Sequence, residues 1–432
     1  MTAWKTFRIR DVAQIFDGPH ATPQKTAEGP LYLSISSLKA GRFDLAESAH
    51  LSDRDLPRWT KRAAPQPGDT LFSYETRIGE AAYWGRDVPA ALGRRMGILR
   101  PDLTRVDPRF LTYAYLGPQF QGVLRDKTIY GTTVNRFPIG EMPSWPIVLP
   151  SLAYQAKIAQ ILGSIDDLIE NLQRQAEVLE EMSRAVYREW FVNFHYPRHE
   201  DVPQIDSGAG WFPQGWNVTS TGALIRERIL EIGDGYRAKN SELTGDEDGL
   251  PFVRVGNVRR GRLSLDGCDR LPLSYRSMLK SKVSRAGDVV LSSKGTVGRL
   301  AYLGPRDPEV AYSPQVSYWR SLKPHELPSA YLYLWVQSDS FVKQTSATKG
   351  STAMADYVNL TDQRRMSLVI PPVNLLAEFS TRVEPLLSGT SNARGRAEML
   401  AKLRDLLLPR LVTGQIDVLQ LDLDAVLEGA VA

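Results

Sequence analysis

The 432-residue chain carries one pattern twice, about 220 positions apart. GPLYLSISSLKAGRFDL from Gly29 aligns with GLPFVRVGNVRRGRLSL from Gly249, setting Tyr32 against Phe252 and Gly41 against Gly261. PGDTLFSYETRIGEAAYWG from Pro67 aligns with AGDVVLSSKGTVGRLAYLG from Ala286, so that Gly68, Gly79 and Tyr83 match Gly287, Gly298 and Tyr302. YGTTVN around Gly131 matches KGSTAM around Gly350, and Pro150 in WPIVLPS matches Pro371 in SLVIPPV. Chance matches would scatter, whereas these offsets stay between 219 and 221. Such a chain must fold as two copies of one architecture.

Each copy ends in a long helical pattern. From Leu152 to Phe191 apolar residues fall at Ile158, Ile161, Ile165, Leu168, Leu172, Leu179, Met182 and Val186, with Gln175 in the one polar slot. Steps of three and four held for about four heptads exceed an ordinary globular helix and predict a rod of roughly 60 Å. No proline interrupts it, and Ser151 stands where an N-cap belongs. The matching C-terminal pattern keeps Val383, Leu386, Leu400, Leu403 and Leu407, but Pro385, Gly389 and Gly395 interrupt it and Pro409 is expected to end it. Each glycine there costs roughly 1 kcal/mol of helix propensity, so this helix should lean on a partner, and the first helix is the obvious one.

Between the helices the patterns are short. Tyr32–Ile35 and Phe252–Val255 read as strands, Gly-Asp before Thr70–Phe72 and before Val289–Leu291 reads as a turn into a strand, and 110–124 and 330–342 carry helical spacing. The expected divisions are a mixed α/β domain over 1–150, the central helix over 151–195, a Pro/Gly-rich linker over 196–215, a second such domain over 216–372, and the C-terminal helix and tail over 373–432.

Charge follows the same division. Residues 1–150 hold 20 Lys/Arg against 15 Asp/Glu, and 196–372 hold 23 against 19; the helical stretches 151–195 and 373–432 hold 4 against 7 and 6 against 8. Basic globules alternating with acidic helices suggest that the globules meet a polyanion and the helices meet something else. The single cysteine, Cys268, excludes an internal disulfide framework and fits a reducing cytosol. The N-terminus MTAWKTFRIRD has no secretory apolar core, and no run of about 18 apolar residues would span a membrane. The expectation is a cytoplasmic protein with no membrane partner.

Catalytic signatures are missing: no phosphate-cradling P-loop, no strand-linked G-x-G-x-x-G, no Asn-Pro-Pro or Asp-Pro-Pro motif of an amino-methyltransferase and no nuclease-type Glu-x-Lys. His195 and His199 are separated by Pro197 and share no helical face, so a metal site is not expected there. The chain is therefore expected to have no catalytic residues, no cofactor and no metal. What it does carry are loop hydroxyls, amides and cations beside the repeated glycines. In the first copy these are Ser73, Tyr74, Thr76, Arg77, Tyr130, Thr132, Thr133, Asn135 and Arg136. In the second they are Asn257, Ser293, Lys294, Thr296, Arg299, Lys349, Ser351 and Thr352. Such side chains bind phosphates, and Arg, Lys and Asn also read base edges. A stand-alone DNA-modifying enzyme would need a cofactor motif; a coiled-coil adaptor would leave the basic globules unexplained; a stand-alone regulator should bind DNA alone.

The central segment LPSLAYQAKIAQILGSIDDLIENLQRQAEVLEEMSRAVYREWFVNF resembles the corresponding region of type I restriction-modification specificity subunits. The tail RAEMLAKLRDLLLPRLVTGQI and the Gly-Asp and Gly-Ser-Thr loops resemble other parts of the same family. The resemblance implies an α+β chain of two target-recognition domains separated by two long helices packed as an antiparallel coiled coil. Each domain would read one half of a split, non-palindromic site on double-stranded DNA. The helices would set the unread spacing and dock two DNA adenine methyltransferase subunits, to which the full enzyme adds two ATP-driven restriction subunits. Ile158, Ile161, Ile165, Leu168, Leu172, Leu179, Met182, Val186, Leu400, Leu403 and Leu407 are the expected pairing and docking positions.

Overall fold

The computed structural model describes residues 4–45, 48–132, 134–206, 210–246, 248–259, 261–295, 297–348, 350–351 and 356–418. The chain divides into two units, one formed by residues 1–171 with 397–432 and the other by 172–396. Each therefore takes half of each long helix.

In the first unit, Ala13–Asp17, Met96–Pro101, Asp69–Ser73 and Ala81–Trp84 form an antiparallel four-stranded sheet in that spatial order. Asp69–Ser73 is buried along its whole length, as its apolar run predicts for a central strand covered on both faces. It follows the Gly68 turn, where a positive φ of 101° suits a residue without a Cβ. Thr26–Leu33 pairs antiparallel with Ala49–His50 and parallel with Ala90–Leu92. Leu38–Lys39 and Arg42–Phe43 make a hairpin, and Lys5–Arg8 pairs with Pro146–Leu149. Asp107 caps the helix Pro108–Leu116 by accepting from Phe110 N at 2.9 Å, and Pro118–Lys127 follows it.

The second unit repeats this plan. Leu230–Asp234, Val316–Ser321, Val289–Ser292 and Leu300–Tyr302 form its four-stranded sheet. Leu250–Val253 pairs antiparallel with Arg270–Leu271 and parallel with Ala311–Tyr312. Val258–Arg259 and Arg262–Leu263 form the hairpin, Asn217–Ser220 pairs with Ser367–Ile370, and the helices are Ser329–Trp335 and Asp339–Thr348. Inside the expected linker, Gln204–Asp206 and Trp211–Pro213 pair as a short antiparallel ladder.

The duplication reaches individual bonds. Asp69 accepts both Arg100 Nε (2.9 Å) and Nη2 (2.8 Å), and Asp288 accepts Arg320 Nε and Nη2, each at 2.7 Å. Both carboxylates also close the turn before them, from Gln66 N at 2.8 Å and Arg285 N at 2.9 Å. Burying charge is tolerated where pairing and extra hydrogen bonds satisfy both partners, and here they do.

The long helices run Leu152–Phe191 and Val373–Val412, forty residues each. They pack antiparallel. In the first unit Asp166 meets Arg404, and Tyr154 donates to the carbonyl of Ile416. In the second, Glu180 pairs with Arg394 and Tyr187 packs on Phe379. Their inner line lies one position from the predicted one. Ile158 and Leu172 are buried as expected, but the line continues through Leu162, Ile169, Ala176, Glu180, Ser183, Tyr187 and Trp190. Ile161, Ile165, Leu168, Leu179 and Val186 flank it half-buried, and Met182 faces outward. On the second helix Phe379, Val383, Leu387, Ala393, Ala397, Arg404, Leu408 and Leu411 are buried; Leu386, Leu400 and Leu407 flank them and Leu403 is exposed.

The expected stop at Pro409 is corrected too, since the helix continues to Val412. Leu408 and Leu411 on either side are anchored in the first unit's core. Pro385 is likewise carried between buried Val383 and Leu387, so packing offsets the lost backbone bond. Gly389 has a use: a Cβ there would stand 3.0 Å from Leu179 Cδ1.

Arginines fasten the short hairpins to the helices. In the first unit Arg404 reaches Asp166 (3.2 Å) and the carbonyl of Ala40 (2.9 Å), while the Tyr113 hydroxyl donates to Asp166 at 2.8 Å. Burial pushes the Asp166 carboxyl above its usual range, against the pull of Arg404. In the second unit Arg394, paired with Glu180, and the Tyr333 hydroxyl crowd Gly261. Gly41 and Gly261, at φ of 79° and 80°, leave no room for a side chain between hairpin and helix.

Candidate nucleic-acid interface

The two loop sets singled out in the first domain meet. After the strand ending at Ser73, the chain turns through Tyr74–Gly79, and it returns past the same place as the 129–136 hairpin. Phe137 N donates to Tyr74 O at 3.1 Å and Thr76 N to Asn135 O at 3.0 Å. Ile129 and Arg136 exchange backbone bonds at 2.8 and 3.2 Å. These bonds hold Thr76, Arg77, Tyr130, Thr132, Asn135 and Arg136 on one ridge, where all six are exposed. Thr76 adopts a positive φ of 69°, an unusual conformation for a β-branched residue. Thr133 lies outside the described residues.

Tyr74 is turned the other way. Its ring packs near Phe137 in the core, which removes it from the surface set. Burial, then the neighbouring Asp17 carboxylate, push its phenol well above the ordinary range.

The second unit builds the same junction. Val358 N donates to Ser293 O at 2.9 Å and Ser293 N to Gln315 O at 3.0 Å, matching Phe137 to Tyr74 and Tyr74 to Arg95 (3.2 Å). Lys294–Gly295 pairs with Asp356–Tyr357, which pairs with Gly350–Ser351. Lys294 and Arg299 are exposed beside this small sheet. Thr296, Lys349 and Thr352 lie outside the described residues, as does the side chain of Ser351. Asn257 is engaged within the fold instead. Its amide oxygen accepts Arg254 N (2.9 Å) and its nitrogen donates to Ser264 O (3.0 Å), so it is spent on holding a turn.

Sequence reading also missed contributors. Glu75 holds Arg95 at 2.9 Å behind the first ridge, and Arg95 itself has a positive φ of 71°. The Asp69–Arg100 and Asp288–Arg320 pairs are legible in the sequence only by extending the 219–220 offset from the Gly-Asp turns to the two arginines.

Of the histidines, His195 contacts Glu189 at 3.0 Å and His199 the carbonyl of Tyr196 at 2.8 Å. Among the described residues there is no group of three His, Cys, Asp or Glu suited to a metal, and no helix is long and apolar enough to cross a membrane.

The family "Type I restriction modification DNA specificity domain" matches residues 1–181. The chain is 26% identical to the type I restriction enzyme MjaIX specificity subunit of Methanocaldococcus jannaschii, over 97% of this chain and 94% of that one. Residues 1–181 therefore carry the specificity-domain pattern of type I restriction-modification systems. The specificity subunit of the Haemophilus influenzae type I enzyme HindI is 20% identical over 96% of this chain and all of its own length. The crystal structure of an S subunit from M. genitalium shares the fold with a TM-score of 0.57, at 14% identity, covering 95% of this chain and 96% of that one.

Proposed function

We propose that this chain is a type I specificity subunit that reads a bipartite, asymmetric site on double-stranded DNA, one half with each ridge, and brings methyltransferase and restriction subunits to it. The repeated junction carries this reading: the backbone bonds that fix Tyr74 to Phe137 recur at Ser293 and Val358, so two polar ridges are built alike but faced with different side chains. Residues 1–150 would contact one half-site and residues 216–372 the other. Arg77, Arg136, Lys294 and Arg299 would neutralise phosphates or reach base edges, and Thr76, Thr132 and Asn135 would add neutral contacts.

The helices offer a matching pair of partner surfaces. Val178 and Met182 are exposed on the first, and Met399 and Leu403, 221 positions on, are exposed on the second. Large apolar side chains outside a helix pair are candidates for a protein partner. Their repetition supports two copies of one subunit, the methyltransferase; two restriction subunits would join through that assembly.

The test is co-expression with a type I methyltransferase subunit encoded alongside this chain, followed by genome-wide mapping of methylated adenine. The expected outcome is one split motif with a fixed gap. A continuous motif, or tight sequence-specific binding by the chain alone without any methyltransferase complex, would replace this reading with that of a regulator.

A further inference from the structure

The first ridge has an apolar point. Ile129 is 53% exposed and Tyr130 is 71% exposed, at consecutive positions where the hairpin leaves the Ile129–Arg136 bridge. Large apolar side chains are costly to hold in water unless something covers them. Here cations outnumber carboxylates: Arg77 and Arg136 lie on the same ridge with Glu75, and Arg125 and Lys127 flank Asp126 in the last turn of the helix just before it. That excess of positive charge suits a polyanion and disfavours an apolar protein surface. An aliphatic side chain can neither donate nor accept a hydrogen bond, and the one apolar group on a major-groove base edge is the C5 methyl of thymine. The exchanged backbone bonds at Ile129 and Arg136 fix the strand pair from which both side chains project. The second domain differs in sequence there: the offset that matches Gly131 to Gly350 puts Thr348 and Lys349 at these positions.

We propose that Ile129 and Tyr130 form an apolar clamp on the C5 methyl of a thymine in the half-site read by the first domain, and that the second domain reads its half without this contact. The proposal rests on the ridges being the DNA-reading surfaces, and it adds a base class and an asymmetry between the halves.

The assay is binding of the methyltransferase-bound complex to duplexes carrying its own mapped motif. Each thymine of both half-sites is replaced singly by uracil, which deletes the methyl and keeps the base-pairing edge. One position in the first half-site should weaken binding about four-fold, the value of one buried methyl-sized group. Ile129→Ala and Tyr130→Ala should abolish that discrimination, Tyr130→Phe should preserve it, and none should change the response of the second half-site. Both side chains are exposed, so the variants should fold. A flat uracil scan across the first half-site overturns the clamp while leaving the split motif standing. Fluorescence brightening of 2-aminopurine beside the contact, without a uracil effect, also overturns it, since the pair would then be a wedge between bases. Failure to find any split motif removes the DNA-reading assignment itself, and the clamp with it.

Discussion

Replacing Arg320 by methionine should cost the second unit about 3–5 kcal/mol, the usual cost of stranding one member of a buried ion pair. The Arg320 side chain is 3% exposed and that of Asp288 is 0% exposed. Besides its two bonds to Asp288, the guanidinium donates to Val283 O at 2.9 Å. Without it, Asp288 keeps the Tyr312 hydroxyl (2.8 Å) and Arg285 N (2.9 Å), and water cannot reach it to make up the difference. For a body of this size each kcal/mol moves the midpoint about 2–4 °C, so the loss should be roughly 6–20 °C. The assay is calorimetry of the full chain, with Arg100→Met as its internal comparison. Arg100 is 25% exposed, so water can enter beside Asp69 and the cost should fall to about 1–2 kcal/mol. Adding Asp288→Leu to Arg320→Met should restore much of the loss, because the stranded charge is then gone. Equal costs in the two units, or a shift below about 2 °C for Arg320→Met, would refute the reasoning.

Other expectations follow from particular residues. Gly41→Ala should cost about 1–2 kcal/mol by denaturant unfolding, because φ is 79° and the new Cβ would sit 3.1 Å from Arg404 Nη1 and from Leu116 Cδ1; a neutral result would mean that the hairpin is not clamped to the helix. Burial pushes the phenols of Tyr302 and Tyr318 up to about 12, so the fold binds their protons more tightly than the unfolded chain does. Stability from these two is therefore full below the ordinary tyrosine value near ~10 and lost as pH rises toward 12; a tyrosinate absorbance titration complete by about pH 10.5 in the folded protein would contradict this. Arg77→Ala and Arg136→Ala should each lower the slope of log affinity against log salt by about 1, measured on the assembled complex; unchanged slopes would place both arginines off the phosphates.

The large features are legible in the sequence because they are written in spacing. A constant offset forces duplicate architecture, and four heptads without proline force a long helix. The inner line of that helix is less legible. Ala176, Glu180 and Ser183 carry it, yet a search for large aliphatics passes over small and polar residues that a neighbouring helix or an arginine satisfies. Pro409 misleads for a related reason: local propensity argues for a stop, and tertiary packing on Leu408 and Leu411 overrides it. On the ridges, residue type names Arg77 and Arg136 as candidates but carries no direction. Tyr74 points inward and Asn257 is consumed by a turn, and both depend on strand register and on backbone bonds made by distant residues.

The central claim is that two domains read separate half-sites while the paired helices set the gap. The direct test deletes one facing heptad from each long helix and maps adenine methylation by the complex. Both half-site sequences are expected to stay the same while the number of unread base pairs between them changes. Altered half-sites, or an unchanged gap in an active complex, would contradict it.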